Sequence, residues 1–239
     1  MKLLVSDIDG TIYKNYKVDD DIKKYIIEFM NDKNIFILAT GRNFMNFLLF
    51  IQKEDIKFNY GILCNGAFVL DNRFNILLNV TFNKVFIKDI LLYLFENNIK
   101  AVITASIMYD QIVYSFDKNI EDFYNNIPKE INCLSIKMET DNDMFKNYIS
   151  NFTGIAVEIN NNYIDIIPEG INKGRIVSLF MKKLGINKED SIAIGDSVND
   201  FSMFEVVGDS YYINDNLIDK AKYKIDSFNQ FIDITKISD

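Results

Sequence analysis

The 239-residue chain contains no His and no Trp, and only two Cys and two Pro. Without His it cannot build a Ser-His-Asp or Cys-His catalytic arrangement. A His-bearing zinc site is excluded too, and two thiols are too few for a four-Cys one. At most one disulfide is possible, which does not suit a stapled, secreted mini-domain. Positive charge is also scarce: 26 Lys and Arg stand against 34 Asp and Glu, for a net charge of −8. Such a balance speaks against nucleic acid as a partner and against anionic membrane surfaces. Apolar runs are short, and the stretch over residues 90–95 falls far below the ~20 residues of a membrane helix. The first residues, Met1-Lys2-Leu3-Leu4-Val5-Ser6-Asp7, turn acidic too early for a signal-peptide core. The expectation is a soluble, cytoplasmic protein, a monomer or weak homodimer, whose chemistry runs on carboxylates, hydroxyls, Lys, Arg and a metal where one is needed.

What the chain does have is an ordinary globular balance, 49% hydrophobic and 25% charged. A chain of this length buries roughly 70–75% of its unfolded surface, enough for one large domain or two modest ones. Four short apolar runs share one design. Residues 3–5 end at Ser6-Asp7, 35–39 at Thr40-Gly41, 61–64 at Asn65-Gly66, and 192–194 at Gly195-Asp196. Continuous apolar runs of strand length suit strands buried on both faces, as in a parallel sheet. Between them lie helical patterns. Ile22, Ile26, Phe29 and Met30 share one face, with Asp19 or Asp20 placed to cap. Ile176, Leu179, Phe180 and Leu184 share another, which Gly185 terminates. Strands alternating with helices predict an α/β fold.

The middle of the chain reads differently. The spacing predicts a helix over 84–97, strands over 100–105 and 111–116, a helix over 118–126, a strand over 133–138, a helix over 141–151, and a hairpin over 155–159 and 163–167. Asn160-Asn161-Asn162 reads as its turn. Ile155, Val157 and Ile159 alternate with Ala156 and Glu158, the mark of a half-exposed antiparallel strand. An α+β module over 82–168 is therefore expected to interrupt an α/β domain made of 1–81 and 169–239. Cys64 and Cys133 read as small core hydrophobes.

Ligands of open parallel sheets sit beyond the carboxyl ends of the strands. Asp7, Thr40, Asn65 and Asp196 end the four runs, and Asp9, Lys173 and Asp200 lie close by. Four carboxylates in one cleft repel one another unless a cation sits among them. A hard divalent cation with oxygen ligands, Mg²⁺ above all, resolves that conflict. Asp196 and Asp200 are spaced to face one cation where a helix begins. Thr40 reads either as a helix N-cap or as a phosphate contact, roles that can coexist. Lys173 opens a helix against the helix dipole, which points to a nearby anion. Arg42 either holds phosphate or pairs with a carboxylate.

Asp7-Ile8-Asp9-Gly10-Thr11 resembles the DxDGT motif of the haloacid dehalogenase-like hydrolases. Thr40-Gly41-Arg42, Lys173 in Ile171-Asn172-Lys173-Gly174, and Gly195-Asp196-Ser197-Val198-Asn199-Asp200 are similar to their second, third and fourth motifs, in order. Asn65-Gly66-Ala67 followed by the inserted module resembles the Cof-type subfamily. The resemblance implies a Rossmann-like parallel-sheet core with an inserted α+β cap of type C2B. It further implies a Mg²⁺-dependent phosphatase acting on small phosphorylated metabolites, sugar phosphates by default, through an aspartyl-phosphate. Asp7 would be the nucleophile, Asp9 the acid and base, and Thr40 and Lys173 their catalytic companions. Gly10, Gly41, Arg42, Asn65 and Asn199 would meet phosphate or substrate. Metal contacts would come from Asp7, the Asp9 backbone carbonyl, Asp196 and Asp200. A phosphomutase or phosphotransferase of the same fold is the alternative, and a non-enzymatic signalling module that needs Mg²⁺ and phosphate is a third reading. Tyr109, Asp110 and Gln111 sit in a cap loop that either reaches substrate or is an ordinary hairpin turn. The chain departs from the family at Asp215, where a small residue is usual, and over 227–231, which lacks a later Gly. The cap is also short.

Overall fold

The computed structural model describes residues 1–115, 119–160, 162–213 and 220–237. Strands β1 (Leu3–Ser6), β2 (Ile35–Ala39), β3 (Tyr60–Leu63), β4 (Phe68–Asp71) and β5 (Ile76–Asn79) come first. They are followed by β6 (Phe82–Asn83), β7 (Ala101–Ile107), β8 (Asp110–Ser115), β9 (Glu130–Ile131), β10 (Cys133–Met138), β11 (Ile155–Asn160) and β12 (Tyr163–Pro168). The last three are β13 (Ser191–Gly195), β14 (Asp209–Tyr212) and β15 (Tyr223–Lys224). The helices are α1 (Asp20–Asn31), α2 (Phe44–Glu54), α3 (Val85–Glu96), α4 (Ile120–Asn126), α5 (Asp143–Ile149), α6 (Lys173–Leu184), α7 (Phe201–Val206) and α8 (Phe228–Ile237). Among the described residues no helix is long and apolar enough to cross a membrane.

The first sheet has the order β15-β14-β13-β1-β2-β3-β4-β5. It is parallel from β15 to β3, and β4 and β5 extend it antiparallel. Its apolar runs serve both faces because successive side chains point to opposite sides. Leu4, Phe36 and Leu38 join the cluster under α1, α2 and α8, while Leu3, Val5, Ile37 and Ala39 join the one under α6 and α7. Asp7 lies just beyond the carboxyl end of β1 and Asp196 just beyond that of β13; these two strands are neighbours, with Ser6 beside Ile194.

The α/β reading of the core thus holds, and a second sheet forms the inserted α+β layer. Its order is β11-β12-β10-β7-β8, antiparallel throughout. Helices α3, α4 and α5 cover one face, against Ile103, Ile136, Ile164 and Ile166. Among the described residues these three helices leave the other face uncovered. The spacing gave no sign of β4 and β5, nor of the two-residue ribbon β6–β9. Predicted strand and helix ends at 116 and 118, and Asp215, lie outside the described residues.

Two capping expectations change. Asp19 precedes α1, but its side chain makes no cap bond. It pairs instead with Lys17 and accepts from Asn229. Thr40 does not cap α2; Asn43 does, its side chain accepting from the Asn46 N–H.

Candidate active site

The centre of the site is a buried ammonium between two acids. Lys173 is the first residue of α6, whose N-cap Asn172 accepts from the Arg175 N–H at 2.8 Å. Its Nζ donates to Asp7 Oδ1 and to Asp200 Oδ1, both at 2.7 Å, and the side chain is fully buried. A cation at a helix N-terminus opposes the dipole, and the two carboxylates offset that cost. Gly174 makes the geometry possible. A Cβ there would lie 1.8 Å from the Ser202 carbonyl oxygen, so only Gly lets α6 come this close to α7.

Asp200 is folded back on its own loop. Its Oδ2 accepts from the N–H groups of Asp196 and Ser197, each at 3.1 Å, and it closes a capping box with Ser197. The stretch Val198–Asp200 is a 3-10 turn, so Asp196 and Asp200 meet through this hairpinned loop rather than along one face of an α-helix. Asp196 Oδ1 accepts from the Thr11 hydroxyl at 3.0 Å. Gly10 lies against the same carboxylate with φ +82, and a Cβ there would come within 2.0 Å of Asp196 Oδ2. One carboxylate oxygen from each of Asp7, Asp196 and Asp200 lies within 4.8 Å of the other two.

Three acids this close are electrostatically uncomfortable. Burial pushes the Asp7 carboxyl well above its ordinary range, and Asp200 and Asp196 push it further, despite Lys173 beside it. Burial, then Asp200, raises Asp196 from 3.8 to about 6. Burial alone would lower the Lys173 pKa, but Asp200 and Asp7 outweigh it and hold the ammonium above the usual Lys range. A donor set made only of carboxylate oxygens, crowded enough to hold protons, fits a hard divalent cation.

The linkage has a definite sign. The folded Asp196 carboxyl binds its proton more tightly than the unfolded one, so its stabilising contribution is full below about pH 4. It is lost as pH rises towards 6. A divalent cation bound at this cluster would replace that proton. The stabilisation given by added Mg²⁺, read as a shift in Tm, is therefore expected to be larger at pH 7 than at pH 5. An equal or reversed shift would disprove a proton–metal exchange at this cluster.

The other candidate residues gather around the same point. Asp9 is half exposed and is gripped by Arg42, whose Nε donates to Oδ2 at 2.7 Å and whose second terminal nitrogen donates to Oδ1 at 2.5 Å. The guanidinium lies over the rings of Tyr13 and Phe50, at 5.2 and 4.9 Å from their centres. The Arg42 guanidinium thus makes a carboxylate pair with Asp9. Thr40 is buried, and its hydroxyl accepts from the Arg42 N–H at 3.1 Å. Asn65 is buried with φ +51. It donates to Asp165 Oδ2 and accepts from Asn199 Nδ2, each at 3.1 Å, so it bridges the two sheets. The Asp165 carboxylate also lies near Gly41, 3.0 Å from where a Cβ would stand.

A cavity of about 570 Å³ separates the core rim from the uncovered face of the second sheet. Asp7, Asp9, Thr40, Gly41, Arg42, Asp196 and Asn199 line its floor, whereas Gly10, Asn65, Lys173 and Asp200 are not among its lining residues. Its roof includes Ser135, Lys137, Glu158, Tyr163 and Asp165, none of which was singled out from the sequence as a site residue. The alternation along β11 placed Glu158 on the face opposite Ile155, Val157 and Ile159, while Ser135 and Lys137 on β10 and Tyr163 and Asp165 on β12 carried no such mark. Nothing in the spacing said that this face looks at Asp7. The loop carrying Tyr109 and Gln111 does not line the cavity. Tyr109 donates to the Phe74 carbonyl at 2.8 Å and packs edge-on against Phe44, and Gln111 accepts from Asn43 at 2.6 Å.

A family model described as haloacid dehalogenase-like hydrolase matches residues 4–231. An uncharacterized protein of Mycoplasma capricolum is 28% identical over 260 residues, covering 95% of this chain and 97% of its own. A 5-amino-6-(5-phospho-D-ribitylamino)uracil phosphatase of Bacillus subtilis is 25% identical over 213 residues, covering 87% and 82%. A solved subclass IIB sugar phosphatase superposes with a TM-score of 0.79 at 17% identity, covering 99% of this chain and 100% of that one. The last likeness is one of fold.

Proposed function

Because the chain belongs to the haloacid dehalogenase-like hydrolases and is a phosphoric monoester hydrolase of that kind, we propose that it dephosphorylates small phosphorylated metabolites of the sugar-phosphate class through an aspartyl-phosphate on Asp7. The observation that carries the reading is the Asp7–Lys173–Asp200 chain beside Asp196, opening on a roofed cavity. Residues 82–168 are read as the cap, and 1–81 with 169–239 as the catalytic core. The sugar-phosphate class is carried over from the sugar phosphatase that shares the fold.

In this reading Asp7 Oδ1 is held by Lys173, and the other oxygen attacks phosphorus. The ester P–O bond breaks, and Asp9 gives its proton to the departing alcohol. Asp9 then takes a proton from water, the water oxygen attacks the aspartyl-phosphate, and inorganic phosphate leaves with Asp7 restored. Arg42 holds both Asp9 oxygens at the cavity edge, so this pair has to open for Asp9 to carry the proton. The Thr40 hydroxyl and the backbone at Gly41 receive phosphoryl oxygens, and the Asn65–Asn199 pair fixes the wall beside them. Lys173 counters the negative charge that gathers around Asp7.

Asp7, Asp196 and Asp200 are the residues that would hold Mg²⁺, together with the Asp9 carbonyl. Lys173 and two backbone N–H groups already occupy the Asp200 oxygens, which leaves Asp7 and Asp196 as the more open ligands. Bound there, the ion would spread the charge of the transferring phosphoryl group over a Lewis acid. Purified protein with Mg²⁺ is expected to release inorganic phosphate from an aryl phosphate, and EDTA is expected to stop release until Mg²⁺ is restored in excess. Undiminished hydrolysis in EDTA would remove the metal from the mechanism.

A further inference from the structure

The roof of the cavity is built from one face of an antiparallel sheet, and it carries an unbalanced charge. Alternation sends Ile164 and Ile166 of β12 into the cap core and turns Tyr163 and Asp165 towards the cavity. Glu158 of β11 is the direct cross-strand partner of Asp165 and lines the same cavity. Like charges placed opposite each other weaken a sheet. Asp165 is at least satisfied: the Ser135 hydroxyl donates to its Oδ1 at 2.6 Å and Asn65 to its Oδ2 at 3.1 Å. The Glu158 side chain is half-buried and makes no hydrogen bond or ion pair among the described residues. The cation on this face, Lys137, lies over the Tyr163 ring, 5.2 Å from its centre, and bridges to neither acid. Burial raises the Glu158 pKa and Lys173 opposes this from a distance, but the hydrogen bonds of Lys173 go to Asp7 and Asp200. A partly desolvated carboxylate without a partner is costly, and a cationic donor relieves that cost.

We propose that Glu158, held opposite Asp165, is a specificity-determining residue that receives an ammonium group on the substrate's alcohol portion, so that the favoured esters are phosphates of amino sugars. The inference rests on the phosphatase reading. The phosphoryl group is drawn to the floor, where Lys173 and the metal ligands lie. The amine meets the roof across the cavity. A neutral hydroxyl at that position gives Glu158 a hydrogen bond but no counter-charge, and an N-acetyl group removes the charge and adds bulk.

The test uses the full chain with Mg²⁺. Steady-state kinetics compare the 6-phosphates of glucosamine, mannosamine and galactosamine with their N-acetyl forms and with the parent hexose 6-phosphates. At least one free amine is expected to exceed both neutral counterparts by about tenfold or more in kcat/KM. Glu158→Gln is expected to bring that ratio close to one, chiefly through KM, and Glu158→Asp to retain a preference. Hydrolysis of an aryl phosphate with no amine preference in the parent enzyme would overturn this inference and leave the phosphatase reading standing. A preference that survives Glu158→Gln would also overturn it. Failure to hydrolyse any ester would overturn the phosphatase reading and this inference with it.

Discussion

Asp7→Asn is expected to lower kcat on any phosphate ester by at least about 10⁴-fold, since an amide cannot form the acyl phosphate. The loss should not come from unfolding. Asp7 shares its buried neighbourhood with Asp196 and Asp200, and its carboxyl is held far above its ordinary range by burial and by those acids. An amide there removes one of the repelling charges, and Lys173 keeps Asp200 as a partner at 2.7 Å. Tm in metal-free buffer should therefore match or exceed that of the parent. The covalent route fails if the variant turns over at the parental rate. A variant that is both inactive and strongly destabilised would instead mark Asp7 as a folding residue.

Lys173→Met is expected to damage stability as well as rate. Lys173 is fully buried and donates to two carboxylates. Removing one partner of a buried ionic group typically costs about 3–5 kcal/mol because the remaining charge is left uncompensated. In a chain of this size that corresponds to a fall in Tm of roughly 6–20 °C. Protons and divalent cations should repair part of the damage, since both neutralise the stranded acids. The deficit in Tm should shrink at pH 5 and in the presence of Mg²⁺. Activity should fall by about 10²–10³-fold, as when one preorganised electrostatic contact is lost. A Met variant with parental Tm in metal-free buffer at pH 7 would show that the Asp7–Lys173–Asp200 chain is not a stabilising element.

The sequence made the core legible because its physics is local. Runs such as Leu3-Leu4-Val5 announce buried parallel strands, and each stops at a polar residue that the sheet then delivers to one rim. The order of elements in the inserted module could be read for the same reason. Residues that act through distant partners were harder to see. Asn65 shares its partners with Asp165, 100 residues on, and with Asn199, 134 residues on. Glu158 and Asp165 looked like ordinary positions on a half-exposed strand. Period-2 alternation tells which side chains share a face, but not whether that face meets solvent or a second domain. The loop at Tyr109 shows the same limit, since its aromatic ring was drawn to Phe44 and Phe68 rather than to the cavity.

The cap is fastened to the core along two edges, by Tyr109 and Gln111 on one side and by Asp165 on the other. These contacts hold the second sheet over the cavity. Hydrogen bonds of this kind contribute about 0.5–1.5 kcal/mol each, so the set favours this placement of the cap over the core. For a ligand that needs these contacts parted, apparent affinity is divided by the fraction of molecules able to bind, a cost set far from the phosphorus. Loosening Tyr109 would lower that cost without touching a catalytic acid.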